Sequence, residues 1–146
     1  MTKTLLALSA IAVSLAACSE QTPAPETRSA LFDDYPTKLF KTFEVSCDGP
    51  GDKFSHASND RFECRSPLPL DTTAFLILNY DGHAQDLPTG VRRMSSTRLG
   101  KSYRVDAELF FLVPQKDGAS VKVPVRSHEL DRQLIQLYRY FGGSPI

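Results

Sequence analysis

Residues 103–113 read Tyr-Arg-Val-Asp-Ala-Glu-Leu-Phe-Phe-Leu-Val, and they constrain the fold more than any other stretch of the chain. A backbone period of two puts Tyr103, Val105, Ala107, Leu109 and Phe111 on one face. Arg104, Asp106, Glu108, Phe110 and Leu112 fall on the other, which is polar at one end and apolar at the other. A strand of this kind needs neighbours for its backbone groups and a second layer over its apolar face. The first neighbour follows directly. Pro114 and Lys116-Asp117-Gly118 signal a turn, and Val121-Lys122-Val123-Pro124-Val125 returns as a second strand. Pro124 has no amide hydrogen to give to a ladder, which places that strand at an edge.

The covering layer is legible at the C-terminus. Leu130, Leu134, Leu137, Tyr138 and Phe141 recur at helical spacing and form one apolar stripe. Ser127 is placed to cap this helix, and Glu129 and Asp131 sit at the positive end of its dipole. Arg139 suits the last turn, and Gly142-Gly143 end it. A sheet packed by a C-terminal helix is an α+β arrangement.

Other segments are shorter. Leu39, Phe40, Phe43 and Val45 lead to Cys47, and Phe43-Glu44-Val45-Ser46-Cys47 alternates as a half-buried strand would. Arg61-Phe62-Glu63-Cys64-Arg65 alternates again, after a turn signal at Asp48-Gly49-Pro50-Gly51-Asp52. The expectation is two strands joined through Cys47 and Cys64, with a loop between. Ala74-Phe75-Leu76-Ile77-Leu78 fits either a fully buried strand or a short helix capped by Asp71 or Thr72. Pro67 and Pro69 upstream, and a left-handed stop at Gly82, favour the helix.

The first residues concern address rather than fold. Lys3 precedes an uncharged apolar run from Thr4 to Ala17, about 14 residues against the ~20 of a spanning helix. A basic start, a short apolar core and small residues at its end match a secretory signal. The run closes on Leu15-Ala16-Ala17-Cys18, which resembles the lipobox of bacterial lipoproteins. The resemblance covers residues 1–18 only. It implies cleavage before Cys18, lipidation of the Cys18 thiol, and anchoring of the mature chain in a bilayer by its acyl groups. Ser19 stands where Asp would retain such a protein in the inner membrane, so the resemblance favours the outer membrane, with the domain facing the periplasm. Residues 18–30 then form the lipidated cysteine and a polar tether with Pro23 and Pro25, reaching on the order of 35 Å if extended. Residues 31–146 form a single domain, since roughly 120 residues suffice for one core and not for two.

An exported chain meets an oxidising compartment, so Cys47 and Cys64 are expected to form a disulfide. The alternative is a metal site drawing on His56, Asp48, Asp52 or Asp60; the cysteine spacing is too long for a zinc knuckle. No other metal and no cofactor is expected.

The 17 basic and 17 acidic residues balance, which gives no global field for a polyanion, and nucleic acid is not expected as a partner. The chain carries no H-E-x-x-H, G-x-S-x-G or phosphate-loop motif. His56, His83 and His128 stand in loops or at a helix start, without a sequence context for catalysis. Arg92, Arg93, Arg98, Lys101 and Arg104 are the one concentration of charge, a candidate patch for an anionic partner or a solvated strand face. The expectation is a non-enzymatic envelope lipoprotein that binds a protein partner or assists assembly. The alternative is a lipid-anchored inhibitor or immunity-type protein, with residues 48–63 as a wedge inserted into an envelope hydrolase.

Overall fold

The computed structural model describes residues 28–146. The signal, Cys18 and most of the expected tether lie outside them. In chain order the elements are β1 (Ser29–Phe32), α1 (Thr37–Val45), β2 (Lys53–Ser58), β3 (Arg61–Pro67), α2 (Leu70–Asn79), β4 (Thr89–Leu99), β5 (Ser102–Pro114), β6 (Ser120–Pro124), α3 (His128–Tyr140) and β7 (Ser144–Pro145). All seven strands join one antiparallel sheet in the order β2-β3-β4-β5-β1-β7, with β6 also on β5. The fold is α+β.

The long strand is the axis of the sheet. β4 pairs along its length from Thr89↔Leu112 to Leu99↔Ser102. Its other edge is shared: β1 takes the first half, Ser29↔Asp106 to Phe32↔Tyr103, and β6 the second, Phe110↔Pro124 to Pro114↔Ser120. The chain turns from β4 to β5 through Gly100, whose φ of 63° suits glycine.

Two helices cover one face. Leu39, Phe40 and Phe43 of α1 and Leu134 and Tyr138 of α3 pack on Phe62, Cys64, Met94, Val105 and Ala107 of the sheet. Leu134 and Tyr138 of the α3 stripe are thus core, with Leu137 and Phe141 packed against it and Leu130 exposed. Ser127 Oγ accepts the Leu130 amide at 3.3 Å, and Gly142 ends the helix at φ 83°. Tyr138 is fully buried; it meets Phe32 edge-on at 6.1 Å, and its hydroxyl donates to the Arg28 carbonyl at 2.9 Å. Burial pushes the Tyr138 phenol well above its ordinary pKa.

Three local expectations are corrected. Phe43-Glu44-Val45 belongs to α1, not to a strand. The alternation is real, but Leu39, Phe40 and Phe43 also share a helical face, and that face is buried while Val45 is 62% exposed. The disulfide therefore ties the end of a helix to β3 rather than strand to strand, with Cα atoms 5.8 Å apart. The segment between the cysteines is a hairpin, not a loop: β2 pairs β3 from Lys53↔Arg65 to Ser58↔Arg61.

Residues 70–79 are helical, but Pro69 is the cap residue, and the left-handed position after the helix is Asp81, at φ 50°. Gly82 serves close approach instead. A Cβ there would lie 3.0 Å from both Ile77 Cα and Val113 Cγ1. That contact and the His83 amide donating to Pro114 O at 3.0 Å dock α2 on the end of β5. The folded chain also starts earlier than Leu31: Ser29 and Ala30 are in β1, and Ala30 is fully buried. Nothing in a Ser-Ala pair signals a strand; pairing with β5 makes it one.

Candidate binding groove

α1 and α3 do not close over the sheet completely. Between them runs an open groove of about 340 Å³. Its floor is Arg92 and Met94 of β4 with Ala107 and Leu109 of β5. Phe43 and Ser46 stand on the α1 side, Leu134 and Leu137 on the α3 side. Leu137 is half-buried and Leu130 is 38% exposed, although both lie on the α3 stripe.

Arg92 marks one end. Its Nη2 donates to Ser46 O at 3.2 Å, lies 3.2 Å from Cys64 Sγ, and is 3.5 Å from Asp52 Oδ2. One guanidinium nitrogen thus clasps the C-terminus of α1, the disulfide and the turn before β2. Its Nε and Nη1 have no protein partner among the described residues. Cys47, Asp52 and Cys64 do place potential ligand atoms within 4.8 Å of one another. The S–S bond takes both sulfurs out of the thiolate form that a metal needs.

The opposite sheet face carries Arg65 and Arg93 in a charge ladder. Glu63 on β3 accepts from Arg65 Nε at 2.6 Å and from Arg93 Nη2 at 2.8 Å. Arg93 Nη1 lies 3.4 Å from Glu108 Oε2, which Lys122 of β6 also pairs. Arg93 and Lys122 both sit over the Phe110 ring, at 4.9 and 4.3 Å. Burial acts to raise the Glu63 pKa, but the hydrogen bonds and charges of Arg65 and Arg93 outweigh it and hold the carboxyl below its ordinary value.

The five clustered cations are therefore not brought to one place. Arg92 is on the helix-covered face and Arg93 on the opposite one. Arg104 bonds Asp106 at 2.8 Å and Ser29 Oγ at 3.3 Å. Arg98 donates to Gly100 O at 3.1 Å beside exposed Lys101 in the turn. His56 packs edge-on against Phe62 at 4.6 Å, and His83 Nδ1 accepts the Gln85 amide at 3.3 Å.

The groove itself escaped sequence reasoning, because it is assembled from α1, β4, β5 and α3. The signal in the sequence was small: Met94, after Arg92-Arg93, and Ala107, between Asp106 and Glu108, are apolar residues that face each other across two strands. Among the described residues no helix is long and apolar enough to cross a membrane. Comparison with protein-family models, with curated proteins and with solved structures finds no match.

Proposed function

We propose that the chain is a non-enzymatic cell-envelope lipoprotein, held to the outer membrane by acylated Cys18, whose domain works in the periplasm as a binding or assembly module. The groove between α1 and α3 is its binding surface. The observation that carries this reading is the groove: an apolar trough on a disulfide-pinned scaffold, with one arginine at its end. Apolar concavities with few polar groups are where partners are most often held. The lipobox supplies the address, and a disulfide is the stabiliser that suits an oxidising compartment.

Two measurements test the reading. Metabolic labelling with palmitate should mark the wild-type protein and not Cys18→Ser, and the variant should leave the membrane fraction. A photo-crosslinking residue at position 137 should capture an envelope component from intact cells, whereas one at Leu99, 50% exposed and in the β4 end of the sheet, should not. Equal capture from both positions would remove the groove from the account.

The inhibitor reading keeps one supporting observation. β2 is the outer strand of the sheet and is exposed apart from Phe54. An open edge can add a partner strand. Ser55→Pro would block such pairing, so loss of inhibition of an envelope hydrolase in that variant would favour the hairpin over the groove.

A further inference from the structure

The size and chemistry of the groove narrow what can lie in it. The groove holds about 340 Å³, within the range of small-molecule sites. An extended peptide meets an obstacle there. β4 is paired on both sides, by β3 and β5; β5 pairs β4, and on its other side, between the β1 and β6 ladders, the Ala107 amide donates to Arg28 O at 2.9 Å and Leu109 O accepts the Val125 amide at 3.0 Å. The floor therefore offers no free ladder edge. A peptide backbone pressed onto it would lose water from its amides and carbonyls without replacement, at a cost of kilocalories per group. A hydrocarbon chain has no such groups.

The charge at the end of the groove specifies the other half of the occupant. Arg92 has 39% of its side chain exposed, and its guanidinium hydrogen bonds and ion pair all use Nη2. Asp52 neutralises that edge; its carboxylate is 10% exposed and also accepts the Gly49 amide at 3.2 Å. The remaining N–H groups point to no protein acceptor, and guanidinium donors favour carboxylate oxygens. The other charged residues bordering the groove, Arg93 and Glu108, are satisfied by each other and by Glu63 and Lys122.

On the footing that the groove is the binding surface, we propose that its occupant is one long-chain fatty acid. The chain lies over Met94, Ala107 and Leu109, and the carboxylate pairs with Arg92. The groove of about 340 Å³ is matched to a single acyl chain.

The full chain carrying Cys18→Ser, purified without detergent, is titrated calorimetrically with palmitate. Palmityl alcohol and palmitoyl-lysophosphatidylglycerol serve as comparisons. Palmitate should bind one to one. Arg92→Gln should weaken palmitate about tenfold or more and leave the alcohol unchanged. Leu109→Gln should weaken both. Non-reducing gels and thermal unfolding establish that each variant keeps its disulfide and its fold; should Arg92→Gln fail there, Arg92→Lys replaces it, with a smaller loss expected for palmitate alone.

Tighter binding of the lysophospholipid than of palmitate would overturn the fatty acid as occupant. Absence of palmitate binding, with a protein still captured from position 137, would overturn the fatty acid and leave the binding surface standing. Absence of both would sink the two together.

Discussion

The ring of Phe32 occupies the space that a side chain at residue 143 would need. A Cβ built on Gly143 would lie 2.7 Å from both Cε atoms of Phe32 and overlap the ring tip. Phe32 cannot retreat, because it is 4% exposed and packs on Tyr138, the most completely buried large side chain of α3. The chain can thus leave α3 and return as β7 beside β1 only if residue 143 is glycine. Gly143→Ala should cost about 1–3 kcal/mol, the range for overpacking a filled core. That corresponds to a fall in melting temperature of several degrees for a domain of this size. Gly118→Ala is the comparison. It has nothing within 4 Å and carries only the strain of φ 87°, so it should cost less. Thermal unfolding by circular dichroism decides between them, and equal losses would mean that backbone strain, not the Phe32 ring, sets the requirement.

The disulfide closes a sequence separation of 17 residues. In the chain-entropy picture a loop of that length contributes about 3 kcal/mol. Cys47→Ala with Cys64→Ala should lower the urea midpoint accordingly, and adding reductant to wild type should reproduce most of the loss. Cys64 is completely buried against α1 while Cys47 is partly exposed. The double variant therefore also removes one core sulfur, and its loss should slightly exceed that of reduction. A midpoint unchanged by reductant would show that α1 stays docked through Leu39, Phe40 and Phe43 alone.

Glu63 makes the stability depend on pH in a defined direction. Its folded pKa is depressed, because Arg65 and Arg93 outweigh the opposing effect of burial. A depressed carboxylate contributes stability that is present above its unfolded value, 4.5, and is lost as pH falls through the folded value. Glu63→Gln should therefore be less stable than wild type at pH 7, and the gap should close progressively below about pH 4. Urea denaturation of both proteins at pH 7 and pH 3 measures this. A constant gap would assign the effect to packing rather than to charge.

The sequence revealed the β5–β6 hairpin and α3 because their periods, two and three-to-four, run long enough to be unambiguous. It misassigned residues 43–47 because five residues cannot separate the two periods; only the burial of Leu39 and Phe40 does, and that is a tertiary fact. The arginine cluster shows the converse. Arg92 and Arg93 are adjacent in sequence, but strand geometry sends them to opposite faces. One borders the groove and the other anchors a charge ladder to Glu63 and Glu108. A site built from four separated segments leaves no local pattern for a reader to find.

α2 separates burial from apolarity within one helix. Leu76 is 1% exposed, whereas Leu78 is 82% and Leu70 is 87% exposed. Leu76 and Leu78 belong to the same apolar run, so hydropathy does not distinguish them, and the fold does. Leu76→Ala should cost about 2–5 kcal/mol, as for a leucine deleted from a packed interior. Leu78→Ser should change stability by less than about 0.5 kcal/mol, since a side chain already in water has little burial to lose. The exposed leucines, with Phe75 at 57% exposure, leave an apolar stripe on the outside of the helix. Leu70→Ser combined with Leu78→Ser should therefore reduce binding of a hydrophobic dye to the folded protein without lowering its melting temperature. A marked loss of stability in that double variant would mean that the stripe is covered in solution, and size-exclusion chromatography would then show whether a second copy covers it.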